Sequence, residues 1–262
     1  MYPRRVPSLF IVLIAVALCL AACGGKTAEE AGAPGKSGPG APSGPRVDPA
    51  TAGVIAGRVT FQGTPPKNAA INMNSDKLCA TAAKGTPTEE TVLVGPDGGL
   101  QNVFVYIKAG LGTYVFDAPA QPGKLAQQGC RYVPHVFGLR VGQPLQIVND
   151  DPTLHNVHIV AKINQERNIG QPLQGQSNKV TFKAPEVMVT FRCDVHNWMN
   201  AYAGVVAHPY FAVTGSDGRF QLADVPPGTY VVEAWQEKYG TQSSDVTIGP
   251  KETKEVTFTF KS

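Results

Sequence analysis

Four side chains in this sequence could together hold a soft metal ion. Cys193, His196 and Met199 stand at C-x2-H-x2-M spacing in Val189-Thr190-Phe191-Arg192-Cys193-Asp194-Val195-His196-Asn197-Trp198-Met199. His155 lies about forty residues upstream, in Asp150-Asp151-Pro152-Thr153-Leu154-His155-Asn156-Val157. One thiolate, two imidazoles and one thioether make a trigonal His2Cys set with a weak axial Met, the set that holds type 1 copper for one-electron transfer. Copper needs the mixture. The soft thiolate delocalises the electron, the imidazoles suit both oxidation states, and the distant thioether lets the geometry change little on reduction. The competing reading of the same residues is a β-sandwich without metal, in which Cys193 is a buried thiol.

The elements that must position these groups are strands. Val187, Val189, Phe191 and Cys193 alternate with Met188, Thr190 and Arg192, so the strand is expected to end with the thiol on its apolar face. A turn then follows, from which His196 can swing to the metal and Met199 can reach it from the far end. A site pinned from two loops of a rigid sandwich is preorganised. Further strands are expected at Val54–Phe61, Asn102–Lys108, Phe137–Val141 and Leu145–Asn149, and no apolar period of helical type exceeds about two turns. With 28 Gly and 22 Pro the natural architecture is all-β and sandwich-like.

Other polar residues invite plainer readings. His158, three residues beyond His155, is expected on the opposite face of its strand, at the surface. His135 and His208 sit beside prolines and are expected to cap or pack. Trp198 is either a core lid or a partner contact. Asp150-Asp151 is a turn former, and no paired-carboxylate site, nucleophile elbow, phosphate loop or hydrolase triad is visible. A saturated four-ligand site leaves no open position for substrate, so an enzyme is not expected.

The amino terminus is a targeting segment. Arg4 and Arg5 precede an apolar run from Phe10 to Leu20, too short to span a bilayer, which takes about 20 apolar residues. Leu20-Ala21-Ala22-Cys23-Gly24 resembles the bacterial lipobox, in which the cysteine is lipidated and becomes the first residue. The resemblance implies a leader over 1–22, lipidation of Cys23 and, from Gly24, a lipid-anchored protein in the bacterial envelope, at the outer membrane facing the periplasm. The membrane would be touched through that lipid alone. Loss of the leader removes two of 23 basic residues and none of the 20 acidic ones, so the mature chain is near +1. That balance, with no basic stripe, argues against nucleic acid as a partner. Residues 23–50 are rich in Gly, Pro, Ala and Ser and are expected to be a flexible tether reaching about 30 Å.

Of five cysteines, Cys19 falls in the leader and Cys23 takes the lipid. Cys79, Cys130 and Cys193 remain in an oxidising compartment, an odd count that needs a reason. We assign a Cys79–Cys130 disulfide and leave Cys193 to the metal; a pairing that draws Cys193 into the bridge is the alternative.

The pattern Tyr132-x-Pro, Leu139-x-Val141, Gly142-Gln143-Pro144-Leu145-x-Ile147-x-Asn149, His155-Asn156-Val157, Cys193, His196, Met199 resembles a plastocyanin-type cupredoxin, with a ligand loop of amicyanin length. The likeness covers about residues 100–206. It implies His155, Cys193 and His196 as equatorial ligands and Met199 as axial ligand. It also implies that Asn156 fixes the loops, with its backbone N–H on the Cys193 sulfur, and that His196 is the solvent-edge imidazole through which electrons pass. Asn197-Trp198 departs from the apolar, Pro-containing filler usual in that loop. Residues 207–262, with Thr214-x-x-Asp217-Gly218-x-Phe220 and Pro226-Pro227-Gly228-x-Tyr230, resemble the carboxypeptidase regulatory-like domain, a small transthyretin-like sandwich. That family opens with a strand like Ile55-Ala56-Gly57-Arg58-Val59, here far upstream. The segment 51–99 is therefore expected to be β, with two arrangements open. Either the copper domain is inserted into the second sandwich, the reading we prefer, or two sandwiches stand in series. The chain as a whole is similar to bacterial envelope proteins of the methylamine-utilisation type.

The function these features imply is a one-electron carrier with one type 1 copper ion and a redox partner protein. Two other classes compete. A copper-handling protein would be Met- and His-rich, whereas the mature chain has three Met and five His. An adaptor built on β-sandwiches would need no metal.

Overall fold

The computed structural model describes residues 44–83 and 85–262. The leader, Cys23 and the tether up to residue 43 lie outside the described residues. Residues 44–50, expected to belong to the tether, lie instead on folded structure. The Val115 N–H donates to the Pro45 carbonyl at 3.1 Å, Arg46 pairs with Asp117 at 2.6 Å, and Val47 packs on a core.

The described chain is nearly all β, in four sheets. Its elements are β1 (Gly53–Gln62), α1 (Lys77–Ala82), β2 (Phe104–Ala109), β3 (Gly123–Gln127), β4 (Tyr132–Val133), β5 (Val136–Arg140), β6 (Pro144–Asn149), β7 (His155–Val160) and β8 (Arg167–Gln171). They continue with β9 (Ser177–Thr181), β10 (Glu186–Arg192), β11 (Asn200–Val206), β12 (Phe211–Val213), β13 (Arg219–Val225), β14 (Gly228–Gln236), β15 (Gly240–Ile248) and β16 (Thr253–Lys261).

The middle of the chain makes one sandwich. A sheet in the order β5-β11-β10-β7-β8 faces one in the order β4-β3-β6-β9. Leu125, Leu139, Leu145, Ile147, Val157, Ile159, Val189 and Phe191, each at most 1% exposed, fill the space between them. Burying each such side chain contributes about 1.5–3 kcal/mol.

The two ends of the chain make the other sandwich, from a sheet in the order β13-β1-β16 and one in the order β12-β2-β14-β15. β1 runs parallel to β16 and antiparallel to β13, so the opening strand completes the carboxy-terminal block. The motif residues do the local work here. Gly218 takes φ +70° in the Asp-Gly turn, and Thr214 Oγ1 donates to the Leu100 carbonyl at 2.7 Å. The Tyr230 hydroxyl donates to the Pro226 carbonyl at 2.6 Å.

Three local expectations need correction. The cupredoxin-like segment was expected from residue 100, but β2 belongs to the other sandwich. Its residues Phe104 to Ile107 are all buried because Val105 and Ile107 face one core while Phe104 and Tyr106 face a third cluster with Val136 and Val206. Among the described residues of 51–99, only β1 is an extended strand; the others form turns, isolated bridges and α1. Val187 is 37% exposed rather than aligned with Val189 and Phe191, because the pairing of β10 with β11 shifts register between Glu186 and Val189.

Candidate metal centre

β7 and β10 are antiparallel neighbours, with Arg192 opposite His158. The start of β7 and the end of β10 therefore meet at one end of the sandwich, and that is where His155 and Cys193 stand. His155 Nδ1 lies 2.9 Å from His196 Nδ1, and Cys193 Sγ lies 3.8 Å from His196 Nδ1. One donor atom from each of the three falls within 4.8 Å of the others, and all three residues are buried. Met199 is 1% exposed in the same core cluster. Its main chain closes the ligand loop: the Met199 N–H donates to the His196 carbonyl at 2.9 Å, and the Cys193 N–H to the Met199 carbonyl at 3.1 Å.

Both imidazoles are held from behind by carboxylates. His155 Nε2 meets Asp151 Oδ2 at 3.0 Å, and His196 Nε2 meets Asp76 Oδ2 at 3.1 Å. A carboxylate on one ring nitrogen fixes the tautomer and turns the other nitrogen, with its lone pair, inward. Two such Nδ1 atoms facing each other are satisfied by one shared proton or by one cation. The titration tendencies agree. Burial pushes His155 down, but Asp151 and the Cys193 sulfur outweigh it and raise it to about 9. His196 is pushed down, first by its burial and, against the pull of Asp76, by the charge of His155. Burial pushes the Cys193 thiol up, yet His155 and the backbone N–H groups of Asn156, His196 and Val195 outweigh it and favour the thiolate, the form that binds metal.

Asn156 ties the two loops. Its Oδ1 accepts the Asp194 N–H at 2.7 Å and lies 3.3 Å from the Cys193 sulfur, while its Nδ2 donates to Asp194 and to Asn168. The donor set, the convergence of three lone-pair atoms and the backing carboxylates all fit a soft-to-borderline cation.

The structure adds a cap that the sequence reading missed. Asp76 is the N-cap of α1, accepting from the N–H groups of Leu78 and Cys79 at 2.8 and 3.2 Å. Cys79 is bonded to Cys130, and Cys193 is the free cysteine among the described residues. Cys79 Sγ lies 3.7 Å from His196 Nε2, and the Cys130 N–H donates to Asp151 at 2.8 Å. The disulfide thus ties the segment that carries Asp76 to the turn that hydrogen-bonds Asp151. His196, expected at the solvent edge, is only 1% exposed, because α1 and the disulfide cover its outer nitrogen. Asp151, expected to be a turn former, is the partner of His155. The i, i+4 offset between Asp151 and His155 was a readable signal; nothing in the sequence placed Asp76 beside a histidine 120 residues away.

The remaining histidines stay apart from the centre. His158 lies on the outer face between Asp194 and Glu166. His135 bonds Glu237 at 2.7 Å, and His208 accepts the Tyr210 N–H at 3.2 Å. Trp198 is half-buried against the core and lies over His196.

With the fold and site in place, the molecule is an all-β protein of two sandwiches, one bearing a His–Cys–His cluster. Residues 201–261 match the carboxypeptidase regulatory-like domain. The structural neighbours are cupredoxins. A Cu-containing nitrite reductase from Thermus scotoductus SA-01 is similar at 19% identity over 32% of this chain and 22% of that chain, with TM-score 0.31. An amicyanin variant in the Cu(I) state is similar at 21% identity over 32% and 81%, with TM-score 0.29. A purple cupredoxin from Nitrosopumilus maritimus follows at 17% identity over 32% and 98%, with TM-score 0.27. No curated protein sequence matches the chain.

Proposed function

We propose that this protein is an envelope lipoprotein that binds one type 1 copper ion and carries single electrons to or from a redox partner protein. The observation that carries the reading is the approach of one donor atom each from His155, His196 and Cys193 to within 4.8 Å of one another, with a carboxylate on the outer nitrogen of each imidazole. His155, Cys193 and His196 would hold the ion through two imidazoles and a thiolate, and Met199, buried in the same core, would supply a thioether. Bound there, copper supplies a one-electron couple. The chain's own contribution is rigidity: both imidazoles are locked by carboxylates, the thiolate by main-chain N–H groups, and the site is closed to water. A closed site without an open position suits electron transfer and not substrate turnover.

The test is the full-length protein loaded with Cu(II). An intense thiolate-to-copper band in the visible is expected, with its loss in Cys193→Ser, together with reversible one-electron voltammetry. A colourless protein with a titratable thiol sinks the reading and leaves an adaptor; a coloured protein without reversible voltammetry leaves copper storage or delivery.

A further inference from the structure

The four proposed ligands have no direct way out. His155, Cys193, His196 and Met199 are 0%, 3%, 1% and 1% exposed. The outer nitrogen of His196 is taken by Asp76 at 3.1 Å and covered by Cys79 Sγ at 3.7 Å. The disulfide that covers it ends in two side chains that are themselves buried, at 0% and 1% exposure. An electron must therefore leave through some other group in contact with the cluster.

Several groups adjoin both the cluster and solvent, among them the part-exposed Asp76 and Asp194 carboxylates, which offer no extended π system. Leu154 and Val195 are 46% and 49% exposed, but their side chains are saturated and mediate electron transfer poorly. Trp198 offers a continuous π system. Its ring centroid lies 5.0 Å from that of His196, at an interplanar angle of 43°. Its indole N–H donates to the Cys130 carbonyl at 3.0 Å, which holds the ring in one orientation. Trp198 lines a small polar recess together with Glu89, Glu90, Arg131, His135 and Met199.

We propose that Trp198 conducts electrons between the His196 imidazole and the protein surface, in the place that an exposed imidazole edge would otherwise fill. The inference rests on the copper reading above. In the step one electron leaves a reduced partner protein and one is gained at the bound ion. The indole mediates, ends the step unchanged, and no proton moves.

Two measurements on the full-length, copper-loaded protein test this. Electron exchange with a small inorganic outer-sphere complex is followed by stopped flow for wild type, Trp198→Leu and Trp198→Phe. Trp198→Leu is expected to keep the visible band and the midpoint potential while exchange slows by about tenfold; Trp198→Phe restores most of the rate. An unchanged rate in Trp198→Leu overturns the inference and places the exit on the main chain beside Cys193, through Asp194. The second measurement is fluorescence in a Trp235→Phe background, where Trp198 is the single tryptophan. Copper loading is expected to quench its emission; unquenched emission with the visible band present overturns the proposed coupling of indole and centre. Absence of the band in wild type is a different failure, that of the copper reading itself.

Discussion

The two sandwiches are built from similar strands and fill similar cores, yet they bury polar groups to opposite ends. In the sandwich made from the chain's termini, Glu233 is 4% exposed and fully occupied. It accepts from the Tyr106 hydroxyl at 2.7 Å, Lys108 at 2.5 Å and the Ser243 hydroxyl at 3.0 Å. Gln236 there donates to the Thr91 carbonyl and accepts two main-chain N–H groups. Every donor meets an acceptor and nothing is left over. At the end of the other sandwich the outer nitrogens of His155 and His196 are occupied in the same way, but their inner nitrogens face each other beside a sulfur. A buried polar group is ordinarily hydrogen-bonded, and its presence alone says little. What distinguishes a site is a surplus of lone pairs aimed at one point, held there by bonds on the opposite side.

The comparison is broken most forcefully at the disulfide, which the terminal sandwich lacks among its described residues. The bridge closes a separation of 51 residues. In the chain-entropy account such a loop is worth about 4 kcal/mol. The double variant Cys79→Ser/Cys130→Ser is expected to lose roughly that much in urea unfolding, about a quarter to three quarters of the 5–15 kcal/mol typical of a domain. α1, at six residues, has too few turns to persist without its anchor. The helix would release Asp76 from His196, so on the copper reading the loss should appear at the His155–Cys193–His196 end first, in copper affinity before global unfolding. Unchanged affinity alongside the stability loss would mean that the cap closes the centre without organising it.

Asp151→Asn is the next largest effect. The carboxylate accepts from the Gly129 and Cys130 N–H groups at 2.7 and 2.8 Å as well as holding His155. An amide has one acceptor oxygen, so one of these contacts is lost and the imidazole loses its charged partner. Removing such a partner typically costs 10–100-fold in metal affinity. Competition with a chelator should show a loss in that range with the visible band retained. A wild-type affinity would demote Asp151 to loop structure.

How much of this was legible in the sequence follows from the same contrast. The trio His155, Cys193 and His196 stood out because strand alternation and a short loop leave few places for those side chains to go. The Asp217-Gly218 and Pro226-Pro227-Gly228 turns were legible because positive φ and fixed φ are properties of single residues. Asp76 was not legible, since a contact across 120 residues depends on how α1 is carried over the sandwich. The outward turn of Val187 was equally hidden, because a register shift inverts the faces of everything before it. The burial of His196 was hidden for the first of these reasons alone, since α1 and the disulfide cover its outer nitrogen.

His208 sharpens the comparison from the other side, as a half-buried histidine with no metal-ligand partner beside it among the described residues. Its Nδ1 accepts the Tyr210 N–H at 3.2 Å, its ring stacks on Tyr210 at 5.9 Å and meets the edge of Phe116 at 6.5 Å. Burial lowers it to about 4, the Ile107 main chain opposes, and the Arg140 guanidinium lowers it further. No carboxylate faces it; Asp117 lies beyond Arg140 and acts on that guanidinium. Folded His208 is therefore neutral where the unfolded chain, with an ordinary value near 6.5, takes up a proton. Its contribution to stability is complete above pH about 6.5 and is lost as pH falls from there to about 4. After allowance for solvent reaching a half-buried ring, the loss should be about 1–2 kcal/mol. His208→Gln keeps an acceptor for the Tyr210 N–H and cannot titrate. The difference in urea stability between wild type and His208→Gln should therefore shrink, or change sign in favour of the variant, between pH 7 and pH 4.5. Carboxylates and the other histidines titrate in both proteins and cancel. A pH-independent difference would mean that His208 is charged in the fold, which its Nδ1, already accepting a main-chain proton, has no room to be.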